Sequence, residues 1–350
     1  MKMKALVISG SRNEEHPMGQ KAGPEVAAAL RRRGWIVAEV DGSQPQNVIR
    51  NIMRLGPDTI VVPVAYGAGG GEDGQFHSVA DLLGVPCAGP SGAAGEISMD
   101  KALFQAIVEG IFATDPEVRT PKGCTVCAGM SDAYIKELIT LQPLPLIVKA
   151  NFSGSSLGLG VVSSYSDALG KVKALLPSSI AVLCQELITP ATEISVTILD
   201  RKSGPAVFPM VGFRKDGIVY DYEQKFGPTA NTRHIIPAPI DPDQAERVKQ
   251  VCLRIHRAIR ACGLFRYDIL LTKHEIIPLE VNSIPGLLPT SITPDAAKAA
   301  GVPFEELAEA YALSALLPRV QAPLLTPALR AKPALNCGPI SELNMSVGMR

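Results

Sequence analysis

Five elements in the first 65 residues constrain the fold most. Lys4–Gly10, Trp35–Val40 and Asp58–Val64 are short apolar runs of strand length, and Ala22–Arg33 and Asn47–Leu55 between them carry apolar residues at helical spacing. Strand, helix, strand, helix, strand on this scale builds a parallel α/β sheet, because parallel neighbours need a crossover. Such sheets bind ligands beyond the C-terminal ends of their strands. The glycine cluster Gly67–Gly74 falls at one of those ends.

Length and composition narrow the class. At about 150 residues per domain, 350 residues make two or three domains. Lys plus Arg number 34 and Asp plus Glu number 34, so the basic excess of a dedicated nucleic-acid binder is missing. No apolar run approaches the roughly 18 residues of a membrane span. The N-terminus, broken by Arg12, Glu14 and Glu15, does not read as a secretory signal. The expectation is a cytoplasmic protein without nucleic-acid or membrane partners. Seven scattered cysteines do not form a disulfide framework, and Cys124-Thr-Val-Cys127 lacks a second pair at zinc spacing. They read as buried, reduced thiols.

Further along, Gln75–Leu83 reads as a helix, Gly89–Gly92 as a boundary and Met99–Glu109 as a helix. Leu146–Lys149, Ala181–Leu187 and Ile194–Leu199 are strand-like. Ala245–Ala261 is an amphipathic helix, Arg266–Thr272 and Glu275–Val281 alternate as a hairpin, and Glu305–Leu316 is a last helix. The chain beyond Pro318 is Pro-rich and aperiodic. His77 and His234 have no partner motif and read as ordinary surface or loop residues.

Two groups of residues could do chemistry. The hairpin would bring Asp268 beside Glu280 and Asn282, which lie two apart and so share a face. Two carboxylates and an amide oxygen suit Mg²⁺ with phosphate co-ligands, and they equally suit a solvated strand face. Lys149 ends an apolar strand that empties into Gly154-Ser155-Ser156-Leu157-Gly158-Leu159-Gly160. This arrangement could cradle phosphate or be a plain hairpin loop; the lysine precedes the glycines, so it is not a P-loop.

The order of the pieces carries more than any one of them. Gly71-Glu72-Asp73-Gly74, Met99-Asp100-Lys101, Val148-Lys149 with its glycine loop, Tyr220–Lys225, Arg266-Tyr267-Asp268 and Glu280-Val281-Asn282-Ser283-Ile284-Pro285-Gly286 follow one another over residues 4 to 317. This series resembles the D-alanine–D-alanine ligase family of the ATP-grasp fold. The resemblance implies an N-terminal parallel α/β subdomain over 1–98, a central ATP-grasp subdomain over 99–190, a C-terminal one with the metal site over 191–318, and a tail over 319–350. It implies a ligase that activates a carboxylate with ATP as an acyl phosphate, which the amine of a second D-amino acid then attacks. D-alanine on both sides makes this a step of peptidoglycan synthesis. The ion would be Mg²⁺, or Mn²⁺ in its place, and the assembly a homodimer.

Carried over position by position, Lys101 and Lys149 would contact ATP phosphates and Lys225 the γ-phosphate. Glu186, Leu187 and Ile188 would lie beside adenine, and Glu193 at the ribose. Asp268, Glu280 and Asn282 match the metal ligands. Arg266 would stabilise the tetrahedral intermediate's oxyanion. Glu15 would hold the first ammonium, with Glu14 one residue out of register, and Ser155 matches the active-site serine. Gly286 and Ser291 match groups near the second substrate's carboxylate. The chain departs from the family pattern at Tyr66, where a histidine is usual, at Phe226, where a tyrosine hydroxyl usually meets the serine, and at Leu288, usually threonine. These bear on the substrates, and leave open an ester-forming D-alanine–D-lactate ligase or a specialised dipeptide ligase.

Overall fold

The computed structural model describes residues 2–56, 58–154, 158–214 and 233–318. The first sheet is parallel, in the order β2 (Ile36–Asp41), β1 (Lys4–Ser9), β3 (Thr59–Val64). All six residues of β3 are buried, as expected of a parallel strand covered on both faces. The crossovers are α1 (His16–Arg32) and α2 (Pro45–Met53), followed by α3 (Gln75–Leu82). Helix α1 begins six residues earlier than its apolar periodicity predicts. Pro17 occupies the first turn, where a missing N–H costs nothing, and the Glu15 carbonyl accepts from the Met18 and Gly19 amides at 3.0 and 3.3 Å.

A helix that was not predicted, α4 (Gly92–Met99), precedes α5 (Lys101–Ile111), which is the helix predicted over Met99–Glu109 moved two residues along the chain. Asp100 is extended between them, and its carboxylate accepts from the Leu103 amide at 2.9 Å, capping α5. This break fixes Lys101 at the first turn of α5.

A second, antiparallel sheet runs β4 (Gly123–Cys127), β7 (Ala181–Glu186), β5 (Leu146–Ala150), β6 (Gly160–Val162), backed by α6 (Asp132–Thr140) and α7 (Tyr165–Leu175). Strand β4 is not predicted from the sequence, because it carries no apolar alternation: Val126 is its one buried residue. Cys124 and Cys127 are half-buried, not buried, and three residues apart on a strand they face opposite sides. Cys124 instead stands opposite Cys184, and the two thiols share a hydrogen bond.

The third sheet orders β11 (Arg233–Ile235), β10 (Val211–Arg214), β8 (Thr192–Arg201), β12 (Leu264–Leu271) and β13 (Ile276–Asn282), with β9 (Gly204–Val207) paired to β8, all antiparallel. Helix α8 (Pro242–Ala258) packs Val248, Val251 and Ile255 into the core beneath it. The chain then returns to the first sheet. Helices α9 (Ile292–Ala299) and α10 (Phe304–Leu313) complete a core that Leu287, Ala296, Leu307 and Tyr311 share with Val7, Val26, Leu30 and Val62. Glu305 and Glu309 pair with Arg32, the last residue of α1, and Arg33 just after it, at 3.0 and 2.5 Å, and the Tyr311 hydroxyl donates to the Pro63 carbonyl at 2.8 Å. No helix among the described residues is long and apolar enough to cross a membrane.

Neither histidine is an ordinary surface residue. His77 lies wholly buried on α3, with Nε2 2.9 Å from the Ala88 carbonyl. His234 is half-buried on β11, paired with Asp295.

Candidate active site

The β12–β13 register sets Arg266 opposite Asn282 and Asp268 opposite Glu280. Phe265, Tyr267 and Val281 alternate with them and point into the core, so the four polar groups share the outer face. The register shifts after Asp268, with Ile269 opposing Pro278, and Leu279 is the extra residue. Arg266 Nε and Nη2 each lie 2.9 Å from an Asp268 oxygen. Ser195 Oγ donates to Asp268 at 2.5 Å and Asn282 Nδ2 at 3.2 Å. Burial disfavours the Arg266 charge, but Asp268, Glu280 and Glu72 outweigh it and raise its pKa.

Two lysines approach this face. Lys101 is buried, with Nζ 3.5 Å from Glu280 Oε2 and donating to the Ser153 carbonyl. Lys149, on β5, is also buried, and burial pulls its pKa down to about 8. Glu280 and Glu193 oppose that shift, and the charge of Lys101 adds to it. Two ammonium groups held near one another out of water call for a polyanion. At the end of β7, Glu186 Oε1 accepts from the Lys122 amide at 2.8 Å and from Arg119, whose guanidinium also grips Glu275 at 2.7 and 3.1 Å. Leu187 and Ile188 follow, half-buried.

The opposed carboxylates Asp268 and Glu280 repel unless a cation lies between or beside them. Among the described residues no three His, Cys, Asp or Glu side chains gather as a metal cluster. A hard cation held by two carboxylates and the Asn282 amide oxygen would therefore complete its shell from phosphate oxygens and water, which is how Mg²⁺ is commonly bound. The residues fit that ion.

Glu15 lies on the other side, buried between two glycine backbones. A Cβ on Gly67, whose φ is +70°, would stand 2.5 Å from Glu15 Oε2, and one on Gly154 would stand 2.3 Å from it. Glu14 is exposed, so the structure brings Glu15 and not its neighbour to the site. Glu15, Tyr66, Arg266, Glu280, Gly286 and Ser291 line one cavity of about 280 Å³. Asn282 and Leu288 also face it, and Ser291 precedes α9 without capping it through its side chain. The Tyr66 hydroxyl accepts from the Leu287 amide at 3.0 Å, and burial raises its pKa. Lys101 lines a smaller adjoining cavity with Glu280 and Gly154. Lys149, Glu186, Ile188 and Glu193 line neither. Ser155, Lys225 and Phe226 lie outside the described residues.

Sequence reasoning missed two titratable residues of the cavity wall, Glu72 and His234. Glu72 accepts from the Gly67 amide at 2.7 Å, and burial, then Glu15, push its pKa up to about 8. Its motif was visible, but not its burial. His234 has its partner 61 positions further on, a spacing that carries no local signal.

This combination of a three-sheet α/β fold with lysines, opposed carboxylates and an arginine around a cavity defines the ATP-grasp class. Residues 127–311 match the family model described as D-ala D-ala ligase C-terminus. The D-alanine–D-alanine ligase of Desulforudis audaxviator is 31% identical over 304 residues, 87% of this chain and 95% of the relative. That of Carboxydothermus hydrogenoformans is 28% identical over 312 residues, 88% and 96% of the two chains. Among solved structures, the D-alanine–D-alanine ligase of Bacillus anthracis complexed with ATP superposes with a TM-score of 0.74 at 22% identity, covering 90% of this chain and 97% of that one. The VanG D-Ala:D-Ser ligase of Enterococcus faecalis gives 0.73 at 21% identity, covering 90% and 100%. The chain belongs to the D-alanine–D-alanine ligase family.

Proposed function

We propose that this protein joins D-alanine to a second D-alanine, using ATP to activate the first carboxylate as an acyl phosphate. The observation that carries the reading is one cavity walled by Glu15, Arg266, Glu280 and Ser291, with Lys101 and Lys149 behind Glu280. Glu15 would take the first ammonium. Lys101, Lys149 and Lys225 would neutralise phosphate, Glu186 and Ile188 would flank adenine, and Glu193 the ribose. Asp268, Glu280 and Asn282 would hold Mg²⁺, whose charge would offset that of the transferring phosphoryl oxygens. Arg266, already fixed by Asp268, would face the developing oxyanion without reorganising. Gly286 and Ser291 would receive the second carboxylate, and Ser155 would act beside Glu15. Phosphoryl transfer depends mainly on positioning and charge, which these groups supply.

The same reading makes the three sheets three subdomains over 1–98, 99–190 and 191–318, in a cytoplasmic homodimer serving cell-wall synthesis. A different acceptor, D-lactate or another D-amino acid, is favoured by Leu288 in the cavity wall and by a Tyr66 hydroxyl already bonded to backbone.

The test is ADP release with Mg²⁺-ATP and D-alanine alone, then with D-lactate added, at pH 6 and pH 8. Turnover on D-alanine alone, rising at pH 8, is the expected result, because an amine attacks only when unprotonated. Turnover that requires D-lactate and persists at pH 6 would replace the amide by an ester. Silence in both would overturn the substrate assignment.

A further inference from the structure

His234 is the one imidazole among the described residues in the wall of the main cavity. It sits at the centre of β11, paired in register with Phe213, whose ring meets it edge-on at 5.9 Å. Nδ1 lies 2.6 Å from Asp295 Oδ2. A carboxylate only accepts, so Nδ1 carries the hydrogen, and in the neutral ring Nε2 holds the lone pair. Among the described residues Nε2 makes no hydrogen bond. Asp295 belongs to the first turn of α9, the helix that Ser291 precedes. The imidazole is therefore fixed against the element that would seat the second substrate.

The other groups of the cavity are poorly suited to receive a proton there. The Tyr66 phenol stays protonated and is bonded to Leu287. Arg266 has no lone pair to offer. Glu280 faces Lys101 and the metal position, and Glu15 would be occupied by the first ammonium. Glu72 is committed to the Gly67 and Ile284 amides.

We propose that His234, oriented by Asp295, takes the proton from the ammonium group of the incoming acceptor. This rests on the ligase reading of the same cavity. The ammonium N–H transfers its proton to Nε2, and the freed lone pair attacks the carbonyl carbon of the acyl phosphate. The C–N bond forms, the bond between the carbonyl carbon and the phosphoryl oxygen breaks, and inorganic phosphate leaves, carrying away the second N–H proton that the nitrogen sheds on becoming an amide. The imidazolium, facing Asp295, then returns its proton to solvent. Around it stand Asp295 in contact, Arg266, Glu280, Glu15 and Glu72 across the cavity, and Arg233 next to it in the chain. The acceptor class is an α-amino acid delivered as its ammonium form.

Hydroxylamine separates this step from the others, because it is already unprotonated at neutral pH and needs no base to intercept the activated carboxyl. With Mg²⁺-ATP and D-alanine, His234→Gln should lower dipeptide formation by about 10²-fold at pH 7, and the deficit should narrow as pH rises. Hydroxamate formation should stay at the unsubstituted rate. Asp295→Asn, which keeps the imidazole but loosens it, should give a smaller loss of the same kind. Dipeptide formation at the unsubstituted rate and with the same pH profile in His234→Gln would overturn the proposal. So would an equal fall in both products, which marks a structural role. Absence of hydroxamate from the unsubstituted chain would instead overturn the ligase reading, and this inference with it.

Discussion

Asp268 and Glu280 face each other directly across the β12–β13 hairpin, carboxylate opposite carboxylate, and each is matched by a different cation. Asp268 is held by Arg266 within its own strand, and Glu280 by Lys101 from α5. The two partners differ in what their loss would do. Removing the Asp268 carboxylate strands a buried guanidinium, a defect of about 3 kcal/mol or more. Asp268→Ala should therefore abolish ATP turnover and also lower the urea midpoint. Glu280→Gln, at a more open position, should lose at least about 10²-fold in ADP release with its midpoint nearly unchanged. Near-normal turnover in either variant would remove the pair from the metal site.

Lys149 predicts a proton signature of nucleotide binding. Its folded pKa, near 8, lies below the ordinary value of 10.5, so the fold disfavours its charge. The resulting penalty is absent above the unfolded pKa and sets in as pH falls through the window from about 10.5 to 8. Phosphates placed beside it would restore the charge. Calorimetry of ATP binding at pH 9, in two buffers of different ionisation enthalpy, should show net proton uptake, and Lys149→Met should lose it. Uptake unchanged in the variant would place the phosphates elsewhere.

Glu72 acts in the opposite sense on stability. Its folded pKa, near 8, exceeds the ordinary 4.5, so its contribution is fully present below the lower value and is lost as pH rises through the higher one. Glu72→Gln keeps the shape without the charge. Its melting temperature should overtake that of the unsubstituted chain as pH goes from 5 to 9, a relative gain of a few kcal/mol. Parallel melting curves across that range would mean that Glu72 is charged throughout.

Arg119 joins the second and third sheets through Glu186 and Glu275. Arg119→Ala should raise the KM for ATP about tenfold, by freeing Glu186, and leave the KM for D-alanine unchanged. Initial-rate kinetics with each substrate varied in turn would show the split, and an equal rise in both constants would argue against a nucleotide-side role.

The first sheet and the β12–β13 hairpin were legible because local rules suffice for them. Apolar runs of strand length between amphipathic helices determine β1 to β3, and period-two alternation puts Asp268, Glu280 and Asn282 on one face. Position in an ordered motif series was enough to point to Lys101, on a helix whose predicted bounds differ by two residues at each end, whereas α4 before it was not predicted. The break at Asp100 depends on its carboxylate capping α5 and on Asn151, 51 residues away. His234 failed for the same kind of reason. Its meaning lies in Asp295 and in a cavity wall assembled from five segments, and neither has a signature at short range. Cys124 and Cys127 are free thiols as their isolated spacing indicates, but they are half-buried on a strand that turns them apart rather than buried.

The return of α9 and α10 to the first sheet bears on the order in which the protein can be made. Val26, Leu30 and Val62 are synthesised early, yet the residues that cover them, Leu307 and Tyr311 among them, follow about 250 positions or more later, as the Tyr311–Pro63 bond spans 248. Until then the earliest lobe has an open apolar flank, and the two later sheets can close before it does. A ribosome stalled near residue 290 would display a chain whose oldest part is its least finished, a natural client for a holdase chaperone.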